Sequence, residues 1–262
     1  MPTAGSVLQH LHSMLDSQSI LTAPEDLITY AFDASAPTSD QLPLAVLFPN
    51  NTQEIVAILH YANQQKIPIV PRGAATSLAG SSMPIPGSLM LSTAHMRRIL
   101  EIDTANLTAL AEPGVTTAEL AAAVAAQGLF YPPDPGSMAV STLGGNVALN
   151  SGGLRGLKYG VTRDFVIGLE VVLASGEILS TGGKCRKDMA GYYLTSLFVG
   201  SEGTLGVFSQ ILVRLLPVPQ DSQTALAFFE NVETAAQAVA DVIAARIIPV
   251  TVELLDLSLI HI

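Results

Sequence analysis

The chain has 262 residues, 49% of them hydrophobic and 13% charged, which is ample for a buried core in one large domain or two modest ones and excludes a disordered chain. Twelve basic residues against 22 acidic ones give a formal net charge of -10, a field that repels phosphate backbones and anionic lipid and argues against a nucleic-acid partner. The mean hydropathy is +0.44, yet no uninterrupted apolar run reaches the roughly 20 residues of a spanning helix, so no transmembrane segment is expected.

The opening "SVLQHLHSMLD" reads as a short helix, followed by a polar connection to about Asp40. "LAVLFP" is an apolar strand, and Asn51 with Glu54 three residues on makes a capping pair for a helix whose apolar face is Ile55, Ile58, Leu59 and Ala62. A second strand, "KIPIVPRG", delivers the chain into the small-residue run "PRGAATSLAGSSMP". "GSLMLST" reads as a strand, and "RILEID" with "NLTALAEPG" as a hairpin turning near Thr104 to Asn106. Thr116 and Glu119 cap an Ala-rich helix that stops at Gly128. The stretch "YPPDPGSMAVSTLGGNVALNSGGLRGLKYG" packs turn formers and glycines more densely than a compact core segment requires and is the least structural-looking part of the chain. "FVIGLEVVLASGEILST" gives two strands joined at Ser175 and Gly176, and "TLGVFSQILVRLLP" another extended run. Beyond Pro219, "TALAFFE" reads as a strand, "NVETAAQAVADVIAARI" as an amphipathic helix and "PVTVELLDL" as a second strand. Such a unit cannot cover both faces of its own sheet, so the chain is expected to end inside a second domain. The content is α+β with many antiparallel strands, and no fixed-period repeat occurs.

Cys185 has Lys184, Arg186 and Lys187 beside it, which favours a reactive thiol, although an incidental thiol on a polar loop is the preferred reading. A single cysteine forms no internal disulfide, and the first residues lack a basic region followed by an apolar one, which fits a reducing cytoplasm. His10, His12, His60, His95 and His261 are scattered without metal-ligand spacing, and no metal site is expected.

Gly-rich loops commonly cradle phosphate through backbone amides. A P-loop needs Lys then Ser or Thr after its last glycine, and "GAATSLAGSS" has neither; no G-x-G triplet occurs, so a G-x-G-x-x-G dinucleotide site is not expected. What remains is a loop in which Gly73, Ala74, Ala75, Thr76 and Ser77 offer adjacent amides and two hydroxyls, with Arg72 at its mouth. It reads equally as a pyrophosphate cradle or as a tight small-residue crossing packed under another element.

Three further segments in order, "PDPGSMAVSTLGGNVALNSGG", "LKYGVTRDFVIGLEVVLASGE" and "LFVGSEGTLGVFSQILVRLLP", resemble the PCMH-type FAD-binding domain of the vanillyl-alcohol oxidase superfamily. Within it, the likeness is to the glycolate oxidase flavoprotein subunit and to D-lactate and D-2-hydroxyglutarate dehydrogenases. The resemblance implies two α+β subdomains over residues 41–219, after the N-terminal helical segment read over 1–40, and the start of an incomplete α+β cap domain over 220–262. It gives residues Arg72 to Leu78 (Arg72, Gly73, Ala74, Ala75, Thr76, Ser77, Leu78) the FAD diphosphate. Pro135, Gly136, Ser137, Thr142, Gly145 and Asn146 would line the flavin and ribityl side, with Gly152, Gly153 and Gly160 shaping the adjoining wall. Glu202, Gly203 and Val207 would meet the adenosine half, the carboxylate accepting ribose hydroxyls. Each glycine taken singly also reads as a turn needing positive φ.

Some members of the superfamily tether FAD to a His at the position of Thr76. Neither loop offers His or Cys, so noncovalent FAD is implied. Tyr193 stands where the family usually has Asp after the Gly-Tyr pair. The implied activity is oxidation of a small 2-hydroxy acid such as glycolate or D-lactate by hydride transfer to flavin. The family's catalytic side chains lie in the cap, so none is assigned, and His261 is read as incidental. Other oxidase subunits, FAD-fold and iron-sulfur, are the implied partners, and through them a cytoplasmic chain could sit peripherally at a membrane. The alternatives are a short noncatalytic FAD-fold subunit and a degenerate interaction protein that has lost FAD.

Overall fold

The computed structural model describes residues 3–35, 41–185 and 187–255. Arg186, His261, the last residues of the polar connection before position 41 and positions 256 and 257 of the expected final strand lie outside the described residues.

The first layer begins with α1 (Ala4–Met14), started by Thr3, whose hydroxyl accepts from the Ser6 amide; α1 buries Val7 and Leu11. β1 (Ile20–Leu21) and α2 (Pro24–Leu27) precede the wholly buried β2 (Ala45–Leu47). Asn51 caps α3 (Thr52–Gln65) by accepting from the Glu54 amide, while the Glu54 carboxylate reaches back to the amide of Asn50 at 2.8 Å. The buried face of α3 is Ile55, Ile58, Leu59 and Ala62, as the apolar spacing predicts. β3 (Ile69–Arg72) and β4 (Leu89–Ser92) complete a sheet of order β1-β2-β4-β3, with β4 parallel to both β2 and β3. Parallel pairing returns the chain to the same edge, so β3 opens directly into the small-residue loop at the carboxyl end of the sheet.

The second layer opens with the hairpin β5 (Ile99–Asp103) and β6 (Thr108–Ala111), whose turn is held by Asp103 accepting from the Asn106 amide. α4 (Thr117–Ala125) carries the full Thr116/Glu119 capping box and ends three residues before Gly128, which is left-handed at φ +73. After β7 (Leu129–Phe130) come α5 (Leu143–Leu149) and the single turn α6 (Gly156–Tyr159). β8 (Val166–Val172) and β9 (Ile178–Gly182) form the expected hairpin around Gly176, followed by α7 (Leu194–Phe198), β10 (Val207–Arg214) and β11 (Leu216–Pro217). The antiparallel sheet runs β5-β6-β10-β8-β9, and β11 pairs with β7. Lys184, just past β9, donates to Glu101 and Asp103 of β5 at 2.8 Å each. β5 and β9 are opposite edges, so these bonds link the loop past one edge strand to the other edge of the sheet. Its core joins Leu120, Val124, Leu143 and Val147 to Phe165 and Ile211. Val172 and Val207 instead pack into the core of the first layer, which knits the two sheets together.

Two expectations need correction. The stretch around Leu143 is not all loop: Thr142 caps α5 by accepting from the Gly145 amide, and Gly144 belongs there because an added Cβ would lie 2.6 Å from the Pro113 side chain. Packing, not propensity, sustains that helix. Neither "TALAFFE" nor the described part of "PVTVELLDL" is a strand, because no neighbouring strand stands beside either among the described residues to complete a ladder. The helix between them forms as expected, α8 (Val232–Ala244), capped by Asn231, and buries only Ala235.

Candidate functional site

Three backbone segments converge on one open cleft at the junction of the layers. The first is the loop leaving β3. The amides of residues 74–78 donate to no acceptor among the described residues, and Ala75 is held left-handed at φ +54. Uncovered donors around a left-handed residue form a concave nest suited to an anion, and a non-glycine residue kept in that conformation marks a stretch fixed by its surroundings.

The second segment is the start of α5. An added Cβ on Gly73 would come within 2.3 Å of the Thr142 hydroxyl, so the loop and the α5 cap approach as closely as backbone allows. Asn146 is buried behind them, its side-chain amide within 2.5 Å of the Thr117 hydroxyl. The third segment runs from Ser201 to Val207. Glu202 is left-handed at φ +53, its amide donates to Ala148 O at 2.8 Å, and its exposed carboxylate has no partner among the described residues. Gly203 packs on Pro71, 3.0 Å from where its Cβ would stand.

Of the expected site residues, Arg72, Gly73, Ala74, Ala75, Thr76, Ser77, Ser137, Thr142, Gly145, Asn146, Glu202, Gly203 and Val207 line this cleft together. Leu78, Pro135, Gly136, Gly152, Gly153 and Gly160 do not. Leu78 is 79% exposed at the tip of its loop. Gly153 and Gly160 are instead packing positions: an added Cβ would lie 2.1 Å from Asp134 O in the first case and 2.1 Å from the Asp164 carboxylate in the second. Pro135 is buried, and Gly136 and Gly152 are exposed.

Sequence reasoning missed Ser82, Thr93, Ser141, Ser151, Gly206 and Phe208, all of which line the cleft. Ser82 lies in the quoted run, so it carried a signal; Thr93, just past β4, and Phe208 of β10 come from elsewhere in the chain, where nothing local announced them. The Ser82 hydroxyl is buried without a partner.

Electrostatically the cleft works by dipoles. Arg72 is the cation among its lining residues, and burial pushes the guanidinium pKa down, opposed by Tyr30 and Asp33. Its Nη1 donates to backbone carbonyls rather than pairing with a carboxylate. Among the described residues no group of His, Cys, Asp or Glu could hold a metal ion. No helix there is long and apolar enough to cross a membrane.

A nest of free amides, an orphaned hydroxyl, a free carboxylate and glycine-tight walls are what a phosphate-linked nucleotide cofactor requires. The comparisons agree. The family described as "FAD binding domain" matches residues 43–182, and that of "FAD linked oxidases, C-terminal domain" matches residues 218–262. The chain therefore belongs to the FAD-binding family of flavin-linked oxidases, and FAD is its cofactor. It is 57% identical over 229 residues to the glycolate oxidase subunit GlcD of Bacillus subtilis, covering 87% of this chain and 48% of that protein. It is 41% identical to a D-lactate dehydrogenase of Archaeoglobus fulgidus, covering 80% of this chain and 47% of that one. Among solved structures, an alkyldihydroxyacetonephosphate synthase superposes with a TM-score of 0.83 at 22% identity, covering 95% of this chain and 47% of its own. A p-cresol methylhydroxylase with substrate bound superposes at 0.74 and 22%, covering 83% and 44%. These two likenesses concern the fold. The chain spans about half the length of the curated relatives it matches.

The residues present fit the cofactor. The amides of 74–78 and the Ser82 hydroxyl are unsatisfied donors of the kind a diphosphate needs, and Gly73 lets the loop close against the Thr142 cap, where a side chain would clash.

Proposed function

We propose that this chain holds FAD, noncovalently, for an enzyme that oxidises a small 2-hydroxy acid such as glycolate or D-lactate. The observation that carries the reading is the convergence of the free amides of 74–78, the glycine-tight α5 cap and the free Glu202 carboxylate on one cleft. The substrate class rests on the names of the two relatives.

Each segment has a distinct task. The amides of 74–78, with the Thr76, Ser77 and Ser82 hydroxyls, would hold the diphosphate by oriented dipoles, which suits a chain of net charge -10 better than a cluster of lysines. Ser137, Thr142, Gly145 and Asn146 would lie along the flavin and ribityl side, where small residues admit a flat ring. Glu202 would accept hydroxyl hydrogens of the adenosine ribose, with Gly203 and Val207 closing that end. Bound FAD would supply the two-electron acceptor for oxidation of the hydroxyl-bearing carbon. Thr76 offers a hydroxyl where a nucleophilic ring would be needed to tether the flavin.

The reading extends to organisation. The FAD-binding domain is taken as 41–219, preceded by the segment 1–40 and followed from 220 by the start of a second domain, in keeping with the two family matches. Assembly with partner subunits is part of the proposal because the Bacillus relative is itself named a subunit.

The test is a titration of the purified chain with FAD, followed by visible absorbance and by acid denaturation. Saturable binding with structured flavin bands, and release of all flavin into the supernatant on denaturation, is the expected result. No bound flavin at any FAD concentration would sink the reading, and flavin that stays with the precipitate would refute the noncovalent part. For substrate class, bleaching of the bound flavin by glycolate or D-lactate without oxygen, in a chain carrying the whole C-terminal domain, is the deciding measurement.

A further inference from the structure

The cofactor loop is held from behind by a segment that precedes the matched family region, which begins at residue 43. Arg72 closes β3, is buried, and donates through Nη1 to Phe32 O at 2.8 Å, Ser82 O at 3.2 Å and Tyr30 O at 3.4 Å. Its guanidinium lies 5.2 Å over the Tyr30 ring. The Ala34 amide donates to Ser77 O at 3.0 Å. The loop is thus tied to Tyr30–Ala34 at its start and middle, and Arg72 also grips its far end at Ser82.

Asp33 adds an unfinished polar contact. It is 7% exposed, and its Oδ1 accepts from the Ser35 amide at 2.8 Å and the Ser35 hydroxyl at 2.5 Å. Its Oδ2 is buried without a partner. Asp33, Arg72, Ala74, Ala75, Thr76 and Ser137 share a side pocket behind the loop, so this carboxylate balances the charge of Arg72 without bonding to it.

The Nη1 group of Arg72 is committed to three carbonyls behind the loop, while the residue also lines the cleft. Holding the loop in place before the ligand arrives lowers the ordering cost of binding. We propose that residues 30–35 are a working part of the cofactor site, and that Arg72 is a positioning residue which fixes the amides of 74–78 through that segment. The proposal rests on the FAD reading above.

The experiment compares the wild-type chain with Arg72→Lys, Arg72→Met and Ala34→Pro, the last deleting the donor to Ser77 O while leaving Arg72 untouched. Hydrogen–deuterium exchange of peptides 28–35 and 73–82 is measured without FAD, and FAD affinity by titration. In both Arg72 variants the two peptides exchange faster than in wild type, while peptides from β8 and β10 stay unchanged, which separates loosening of the loop from unfolding. FAD affinity falls about tenfold in Arg72→Lys and further in Arg72→Met, because a lysine keeps part of the donor set but not its planar fork. Ala34→Pro moves both readouts in the same direction by less. Weakened FAD binding with unchanged exchange in the FAD-free Arg72 variants would make Arg72 a direct ligand and overturn the proposal, as would an Ala34→Pro chain that binds FAD like wild type. Should the wild type take up no FAD, the functional reading fails, while the FAD-free exchange still decides whether Arg72 fixes the loop.

Discussion

The chain up to Pro219 is less apolar than the stretch after it, yet the two meet opposite fates. In the first, strands such as β2 and β4 are buried along their whole length, and Leu91 is 0% exposed. In the second, Leu226 and Phe228 are 77% and 88% exposed, and α8 buries only Ala235. Both regions carry well-capped helices, so local signals are not what separates them. The difference lies in partners: an apolar run becomes a strand only when another strand takes its amides and a layer covers its face.

The sharpest way to break this comparison is to truncate one side chain in each region. Leu91→Ala should cost about 2–5 kcal/mol of unfolding free energy, the usual range for a fully buried leucine. Val242→Ala, on the exposed side of α8, should stay within about 0.5 kcal/mol. Urea titration of both variants checks the pair, and equal costs would show that α8 is packed in solution.

Next in size is the glycine at the cleft. Gly73→Val forces the loop and the α5 cap apart, since the added carbon would sit 2.3 Å from the Thr142 hydroxyl. FAD affinity should fall by about 100-fold, roughly 2.7 kcal/mol, with the far-ultraviolet circular dichroism unchanged. Retention of wild-type affinity would mean that the two walls do not meet around the cofactor.

Local chemistry made some parts legible and left others silent. The spacing of Ile55, Ile58, Leu59 and Ala62 marks the buried face of α3 because helix periodicity is written in adjacent turns. The Thr116/Glu119 pair marks the start of α4 for the same reason. α5 was hidden because Gly144 and Gly145 are poor helix formers, and the reason for Gly144 is Pro113, about thirty residues earlier. In the site, the run after β3 stood out by its small residues, whereas Phe208 joins the cleft only because β10 lies where the layers meet. The brace formed by Arg72 was equally silent, since an arginine beside a glycine loop reads as a phosphate ligand until its carbonyl partners are known.

A smaller effect probes the third wall. Glu202→Gln keeps the size of the side chain but removes its charge, and should weaken FAD binding about tenfold. Glu202→Gly should lose similar affinity yet raise stability by about 1 kcal/mol, because glycine adopts the left-handed conformation without strain. Thermal melts and FAD titrations on the two variants separate the carboxylate's role from the backbone's. A Glu202→Gly chain that binds FAD normally would remove the carboxylate from the site.

The smallest effect is expected at Lys184, whose bonds link the loop past β9 to the opposite edge strand β5 of the five-stranded sheet. Hydrogen bonds from Lys184 first, then from Asn106, hold the Asp103 pKa well below the ordinary carboxylate range, and Asp103 with Glu101 raises that of Lys184. A depressed carboxylate pKa stabilises the fold above its unfolded value of about 3.9 and loses that contribution as pH falls through the lower folded value. A raised lysine pKa stabilises below its unfolded value of about 10.4 and loses that contribution as pH climbs through the higher folded one. The stability difference between wild type and Lys184→Met should therefore be flat from about pH 5 to 9 and shrink toward both extremes. It should also fade in added salt, because these side chains face solvent and are screened. Urea midpoints of the two proteins at pH 3, 7 and 11 decide it. A difference that grows on acidification would mean that this link is held by packing and not by the charges that span it.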